Sequence, residues 1–255
     1  MLRKSLTKIV LILFGLEMFI PLLGLSVFSL KSGSHLSLNS YSGLLMDPTF
    51  HQALLHSLVI SLITILLSIV LFTPPVWYAY MHYPAIVRII EGISFIPFVL
   101  PGVVLGLGYV QFFSNPPFAW SGTPNLLPFA FALMGMPFYL QAVINRLHLV
   151  DAKTYHEASQ SLGASPFRSW MQVHMPLLRP GVLNGAILIF SISMGEFAIT
   201  QLTTGGSYMT LAIYLQVLFQ NNPVQGSAMA IIALFIAILA VFISFITVAR
   251  ERKEV

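Results

Sequence analysis

The chain contains no cysteine and very little charge. The first absence excludes disulfides, thiolate metal sites, cysteine nucleophiles and a lipid-modified cysteine anchor. The second says more. Asp, Glu, Lys and Arg make up 8% of 255 residues, against about 25% in a soluble domain, and so little charge cannot furnish a polar surface in water. No Gly-Lys pair occurs, which excludes a Walker A phosphate loop, so any ATPase is a separate polypeptide. No Gly-x-Ser-x-Gly elbow is present. His156-Glu157 opens like a zinc-protease helix, but Gln160 stands where the second histidine belongs, and without that i, i+4 partner the zinc reading fails. No catalytic residue, metal ligand or cofactor is assigned.

What the chain has instead is apolar length, with 57% of its residues hydrophobic. A helix rising about 1.5 Å per residue needs about 20 residues to cross the hydrocarbon core of a bilayer. Six runs qualify: Ile9–Leu30, Leu54–Phe72, Ile89–Phe113, Leu126–Ile144, Val182–Leu202 and Ala228–Val248. His56 lies inside the second, and Pro128 and Pro137 interrupt the fourth. The first follows Arg3, Lys4 and Lys8; it is long for the apolar region of a signal peptide and no Ala-x-Ala cleavage site follows it closely, so it reads as a retained helix.

The net charge of +4 does not point to nucleic acid, because the basic residues sit in short clusters between the apolar runs. With the N-terminus inside, the inner segments carry Arg3, Lys4, Lys8, Arg88, Arg146, Lys153, Arg168, Arg179, Arg250, Arg252 and Lys253, and the outer segments carry Lys31 alone, which accounts for all 12 basic residues. Positively charged loops resist translocation, so both termini are expected in the cytoplasm. The outer segments Lys31–Ala53, Ser114–Asn125 and Thr203–Ser227 are polar, nearly uncharged and rich in turn residues. The expectation is an all-α polytopic membrane protein of about six spans, forming one domain over residues 1–255.

The longest inner connection, residues 145–180, reads as two short helices. Asp151 is placed to cap the first, over about Ala152 to Leu162, with Tyr155, Ala158 and Leu162 on one face. Gly163 supplies a permissive position at its end. Ser165-Pro166 reads as an N-cap followed by proline at the first helical position. Phe167, Trp170, Met171 and His174 fall on one face of the second helix. Pro176 is expected to stop it, and Pro180-Gly181 to mark re-entry into the membrane.

The stretch DAKTYHEASQSLGASPFRSWMQVHMPLLRPG, Asp151 to Gly181, resembles the EAA loop of binding-protein-dependent ABC importer permeases. Glu157-Ala158-Ser159 stands for the Glu-Ala-Ala triplet, with Ser159 in place of the second Ala, followed by Gly163, Met175-Pro176-Leu177-Leu178 and Pro180-Gly181. Phe98 to Gly106, with Pro101-Gly102, resembles the broken third helix of that family. Ser193-Met194-Gly195-Glu196-Phe197 resembles a segment of the fifth helix in permeases for polyamines, iron, thiamine, phosphonates and oxyanions. The resemblance implies a MetI-like permease fold with a cytoplasmic two-helix coupling loop. It implies coupling of that loop to separate cytoplasmic ATPase subunits through Glu157, Ala158, Ser159, Gly163, Phe167, Pro176, Pro180 and Gly181. It also implies pairing with a second permease subunit, a heterodimer in preference to a homodimer, and delivery of solute by an extracytoplasmic binding protein. The alternative for the loop is that it packs beneath its own bundle.

Intramembrane acids are costly and often line a path. Glu196 is the favoured path candidate, together with Gly195, Pro101 and Gly102, although a gate or a helix contact suits it equally. Glu17 is divided between a path role and pairing with the sister subunit, and Glu91 lies near Arg88 at the inner edge. Pro74-Pro75 and Pro101-Gly102 are expected to break helices. An ion-coupled transporter or channel is the main rival and a membrane enzyme a lesser one; neither accounts for the loop. The orientation is testable because there is no native cysteine. Single cysteines at Ser34, Ser121 and Ser207 should react with an impermeant thiol reagent outside intact cells, and cysteines at Ser165 and Lys253 only after permeabilisation. Labelling of Ser165 from outside would invert the topology.

Overall fold

A computed structural model of the chain describes residues 2–32 and 35–251; Ser34, Arg252 and Lys253, invoked above for orientation, lie outside them. The described residues are helical almost throughout. In chain order the helices are α1 (Leu2–Ser29), α2 (Asn39–Met46), α3 (Pro48–His82), α4 (Pro84–Val99), α5 (Gly102–Phe112), α6 (Leu127–Leu149), α7 (Ala152–Ser161), α8 (Pro166–Ser169), α9 (Met175–Gly195), α10 (Ala198–Thr204), α11 (Leu211–Asn221) and α12 (Pro223–Glu251). A two-residue antiparallel ladder, Lys31–Ser32 with His35–Leu36, follows α1. Among the described residues, Pro48–His82, Pro124–Leu149, Pro166–Gly195 and Pro223–Phe242 are long and apolar enough to cross a bilayer. The apolar part of α1, Leu13–Ser29, is shorter. The third expected span is not one rod: α4 and α5 qualify only as a pair, bent by 96°. The bend falls at Leu100-Pro101, where proline withholds a backbone donor and excludes the helical conformation from the residue before it. The fifth is interrupted too. Glu196, in extended conformation, ends α9, and α10 starts again at Ala198.

Pro74-Pro75, in contrast, breaks nothing, because α3 runs through both prolines for 35 residues. Bilayer helices tolerate proline where neighbours hold the segment. Here Thr73 Oγ1 lies 2.7 Å from Tyr139 Oη on α6, and Val76 and Trp77 are buried. At roughly 52 Å, α3 outreaches the roughly 30 Å hydrocarbon core.

Two compact units are present. The larger, residues 53–213 and 238–255, is organised on α6, whose apolar window is 61% buried against 22–28% for the other three long spans. Its partner is α9. Glycines let the two axes approach: a Cβ on Gly185 would stand 2.7 Å from the Tyr139 ring, one on Gly181 2.6 Å from Arg146 Cβ, and one on Gly135 2.4 Å from Ile189 Cδ1. Such close approach through small residues is how bilayer helices gain packing energy when lipid is as apolar as their side chains. Arg146 Nε also donates to Leu177 O at 2.8 Å, which ties the end of α6 to α9.

In the smaller unit, residues 1–52 and 214–237, Asp47 is the anchor. Its Oδ1 accepts from Thr49 N–H at 2.8 Å and its Oδ2 from Tyr214 Oη at 2.6 Å. These two donors hold its carboxyl below the usual carboxylate range. Gly226 lies against Phe219, whose Cα would be 2.9 Å from a Cβ there.

The α6–α9 contact predicts that Gly185→Leu, which drives a side chain into the Tyr139 ring, costs about 1–3 kcal/mol as overpacked cores do, with Gly185→Ala less severe. Thermal unfolding of the detergent-purified chain measures it; an unchanged midpoint for Gly185→Leu would remove this contact as the core of the bundle.

Candidate functional site

The chain between α6 and the membrane part of α9 is where the motif residues meet. After α6, Asp151 adopts a left-handed conformation, φ 45°, which Asp tolerates better than most residues. It occupies the cap position of α7, but its side chain does not cap the backbone as expected; instead Oδ2 accepts from Thr154 Oγ1 at 2.7 Å. On α7, Ala152, His156 and Ser159 are buried, at i, i+4 and i+7. The opposite face is exposed: Glu157, Ala158, Tyr155 at 49% and, just beyond the helix, Leu162 at 89%. Ser159, the departure from the Ala of the motif, has a local explanation. Its buried hydroxyl donates to His156 O and lies 2.7 Å from Ser169 Oγ on α8, a partner an alanine would leave unused.

The turn after α7 forms as the sequence leads one to expect. Gly163 has φ +78°. Its N–H bonds Gln160 O at 2.9 Å, and Ala164 N–H bonds Ser159 O at 3.0 Å, the paired closure of a Schellman C-cap. Ser165 then caps α8, its Oγ accepting from Arg168 N–H at 3.3 Å with Pro166 next in line.

Pro176 does not end the second helix. Helix α8, a π-turn over Trp170–His174 and α9 follow one another without a break, with Pro176 and Pro180 inside. The wide turn lies immediately before Pro176, where the ring would otherwise press on the carbonyl four residues back. Pro180-Gly181 is therefore within α9 rather than at a loop boundary, and Gly181 faces Arg146 and Ala142 O on α6. The extra residue in the π-turn also divides the expected aromatic face. Phe167 (73%) and Met171 (49%) are exposed, whereas His174 is fully buried and Trp170 partly so.

Inside the loop, Trp77 of α3 packs on His156, Trp170 and His174, with ring centroids 5.8, 4.7 and 5.0 Å away. His156 Nδ1 and His174 Nε2 are 3.3 Å apart, and Gln160 Nε2 lies 3.1 Å from His156 Nε2. Burial, then the charge of nearby His82, lowers the His156 pKa, against a smaller opposing effect of Glu157. Sequence reading placed Trp170 and His174 on one face but missed Trp77 and His156; the partners are about eighty residues apart and no spacing rule links them.

The four path candidates divide. Glu196 and Gly102 come together: Glu196 Oε1 would be 3.6 Å from a Cβ on Gly102, beside Pro101 at the α4–α5 bend. Gly195 is exposed with open space at its Cα. Glu196 Oε1 also accepts from Ile199 N–H at 2.6 Å, so a carboxylate sits at the first turn of α10, where the helix dipole favours it. Helices α5 and α10 pack at Gly106, where a Cβ would be 2.8 Å from Leu202 Cδ1. Glu17 is exposed on α1 and Glu91 is partly buried on α4.

The chain belongs to the family of binding-protein-dependent transport system inner membrane components, whose pattern it matches over residues 75–254. It is 28% identical over 235 residues to the molybdenum transport permease ModB of Escherichia coli K12, covering 82% of this chain and 98% of that one. It is 26% identical over 200 residues to the spermidine/putrescine transport permease PotB of the same strain, covering 72% of each. Its fold resembles that of a bacterial ABC transporter for alginate import (TM-score 0.64, 17% identity, 98% of this chain and 95% of the other). It also resembles the inward-facing MetNI methionine transporter (TM-score 0.61, 18% identity, 80% and 99%). The chain is thus a multi-pass membrane permease subunit of an ABC importer, as its relatives are transport permeases, and of a class that works with an ATPase and a solute-binding protein.

The cap geometry makes Glu196 testable. Glu196→Gln keeps an oxygen for Ile199 N–H and should assemble normally, whereas Glu196→Leu should lose about 1 kcal/mol, as lost helix caps do, seen as a lower unfolding midpoint. Lost uptake in a normally assembling Glu196→Gln complex would add a path role for the charge.

Proposed function

We propose that the segment 145–180 is the cytoplasmic coupling loop of this permease and that the whole chain, 1–255, works as one domain that forms half of a translocation path. Glu157, Ala158 and Gly163 present the docking surface for the ATPase, with Phe167 beside them. Ser159, Pro176, Pro180 and Gly181 act from behind, fixing α7 and α9. The observation that carries this reading is the exposed apolar surface of Tyr155, Leu162, Phe167 and Met171 around the Gly163 turn. Four large apolar side chains on a polar loop are costly in water unless a partner covers them. The basic residues of the inner segments favour a cytoplasmic position for the loop and both termini.

A sister permease completes the path, in a heterodimer by preference, and an extracytoplasmic binding protein delivers the solute. The solute is small and polar. The relatives named for spermidine/putrescine and for molybdenum leave its charge open, and polyamine, iron, thiamine, phosphonate and oxyanion classes remain. Pro101, Gly102, Gly195 and Glu196, at the two helix breaks, are the path residues on this reading, since broken helices line cavities in transporters.

Leu162→Asp and Gly163→Leu test the docking surface. The first places a charge in the proposed contact; the second puts a side chain at φ +78°, which costs about 1 kcal/mol or more for a non-glycine residue. Both variants should insert and pair at parental levels and lose ATPase binding, read by co-purification of the ATPase subunit from the host cell. Parental co-purification of both variants would put the ATPase contact elsewhere on the chain.

A further inference from the structure

The buried histidine pair has no part in the docking surface, yet it lies directly behind it. His156 precedes Glu157 on α7, and His174 is the last residue of the π-turn leading into α9. The bond between them, 3.3 Å from Nε2 to Nδ1, joins the helix that carries the docking surface to the helix that enters the membrane. Trp77 of α3 closes the cluster. Three elements therefore meet on two imidazoles.

The hydrogen-bond inventory sets the charge these rings can carry. Among the described residues, His174 Nδ1 and Trp77 Nε1 are buried without a hydrogen-bond partner. An indole nitrogen is only a donor. A lone pair on His174 Nδ1 strands no donor, whereas a second N–H there would face no acceptor. In the arrangement that leaves no imidazole N–H orphaned, His174 Nε2–H donates to His156 Nδ1. His156 Nε2–H then donates to the side-chain amide of Gln160, turned so that its oxygen faces the ring. A proton added to His174 goes to Nδ1 and strands a buried N–H. A proton added at His156 Nδ1 forces His174 to accept through Nε2 and moves its own proton to Nδ1, with the same result. Either way a buried donor is left unsatisfied, and the charge is buried with it.

We propose that the His156–His174 pair is an acid-sensitive joint, holding α7 against α9 and α3 while both rings are uncharged and releasing α7 when the pair takes up a proton from the cytoplasm. The two histidines are positioning residues; the link from α7 position to transport rests on the coupling-loop reading above. The surrounding charges offer little compensation. From α3, His82 faces His156 at a centroid distance of 5.8 Å and adds like charge on acidification. On α7 itself Glu157 is exposed and only partly offsets this. Arg168 on α8 is bonded to Gln172, Arg146 on α6 to Leu177 O, Lys153 lies over the Tyr80 ring, and His148 is bonded to Tyr80 Oη. The sign follows. A released imidazole takes up a proton near pH 6.5, and packed His156 only at lower pH. Acidification from about pH 6.5 downward therefore favours the released state, by about tenfold for each pH unit separating the two pKa values.

Hydrogen exchange of the full chain in lipid nanodiscs, at pH 7.5, 6.5 and 5.5 and normalised to intrinsic exchange rates, reads the joint without any solute. Protection of amides over Ala152–Leu162 should fall severalfold, up to about tenfold, by pH 5.5, while that of α6 holds. In His156→Gln/His174→Gln the profile should be flat, and in His82→Gln the fall should persist with its midpoint moved up by less than one unit. A pH-independent α7 in the parent would overturn the joint, as would a fall that survives in the double variant. If the double variant does not fold, abolition of the fall by His82→Gln alone would still overturn it, by assigning the titration to His82. Failure here leaves the docking surface untouched. A preserved acid release with parental ATPase co-purification in the Leu162 and Gly163 variants would instead retain the joint and reject the coupling reading.

Discussion

The close contact of α6 with α9 is the constraint from which the larger unit is built. In a bilayer, apolar side chains gain nothing by leaving lipid for protein except contact energy, so helices must come close to hold together. Gly135, Gly181 and Gly185 remove the side chains that would keep α6 and α9 apart, and Tyr139 and Ile189 fill the space released. The same contact fixes the loop: α6 delivers the chain to Asp151 and α9 takes it back. Arg146, near the end of α6, bonds α9 four residues from the glycine it packs on.

The two helix breaks are related in kind but not in cause. At Leu100-Pro101 the break is covalent, a ring that cannot donate and will not let its neighbour be helical. At Glu196 nothing in the backbone demands it. There a carboxylate accepts the Ile199 N–H and replaces a helical bond with a side-chain one. Helices α5 and α10, which start at these breaks, then pack on one another at Gly102 and Gly106. A proline that leaves a helix intact at Pro74-Pro75 and another that bends it at Pro101 show that the residue proposes and the neighbours decide.

The loop combines two surfaces with opposite requirements. Its outer face leaves Leu162 and Phe167 in water; its inner face buries two imidazoles and an indole against one another. The π-turn reconciles them. Adding one residue to the turn before Pro176 rotates Trp170 and His174 inward while Phe167 and Met171 stay outside. In a regular helix all four would share a face, and either the packing against Trp77 or the exposed patch would be lost.

Composition and apolar run length sufficed for the helical membrane class, because the cost of stranding charge or bare backbone in lipid leaves few alternatives. Local rules gave the Gly163 turn, the Ser165 cap and the Pro101 break, since each depends on a residue's own conformational limits. The span ends were less legible. Proline rules alone stop a helix at Pro176 and break one at Pro74, yet both helices continue, since tertiary contacts such as Thr73 with Tyr139 outweigh a missing donor. The approach of Glu196 to Gly102 and the meeting of Trp77 with His156 and His174 belonged wholly to the tertiary structure. They join elements distant in the chain, and helical periodicity assigns a face to a residue but not the neighbour that face will meet.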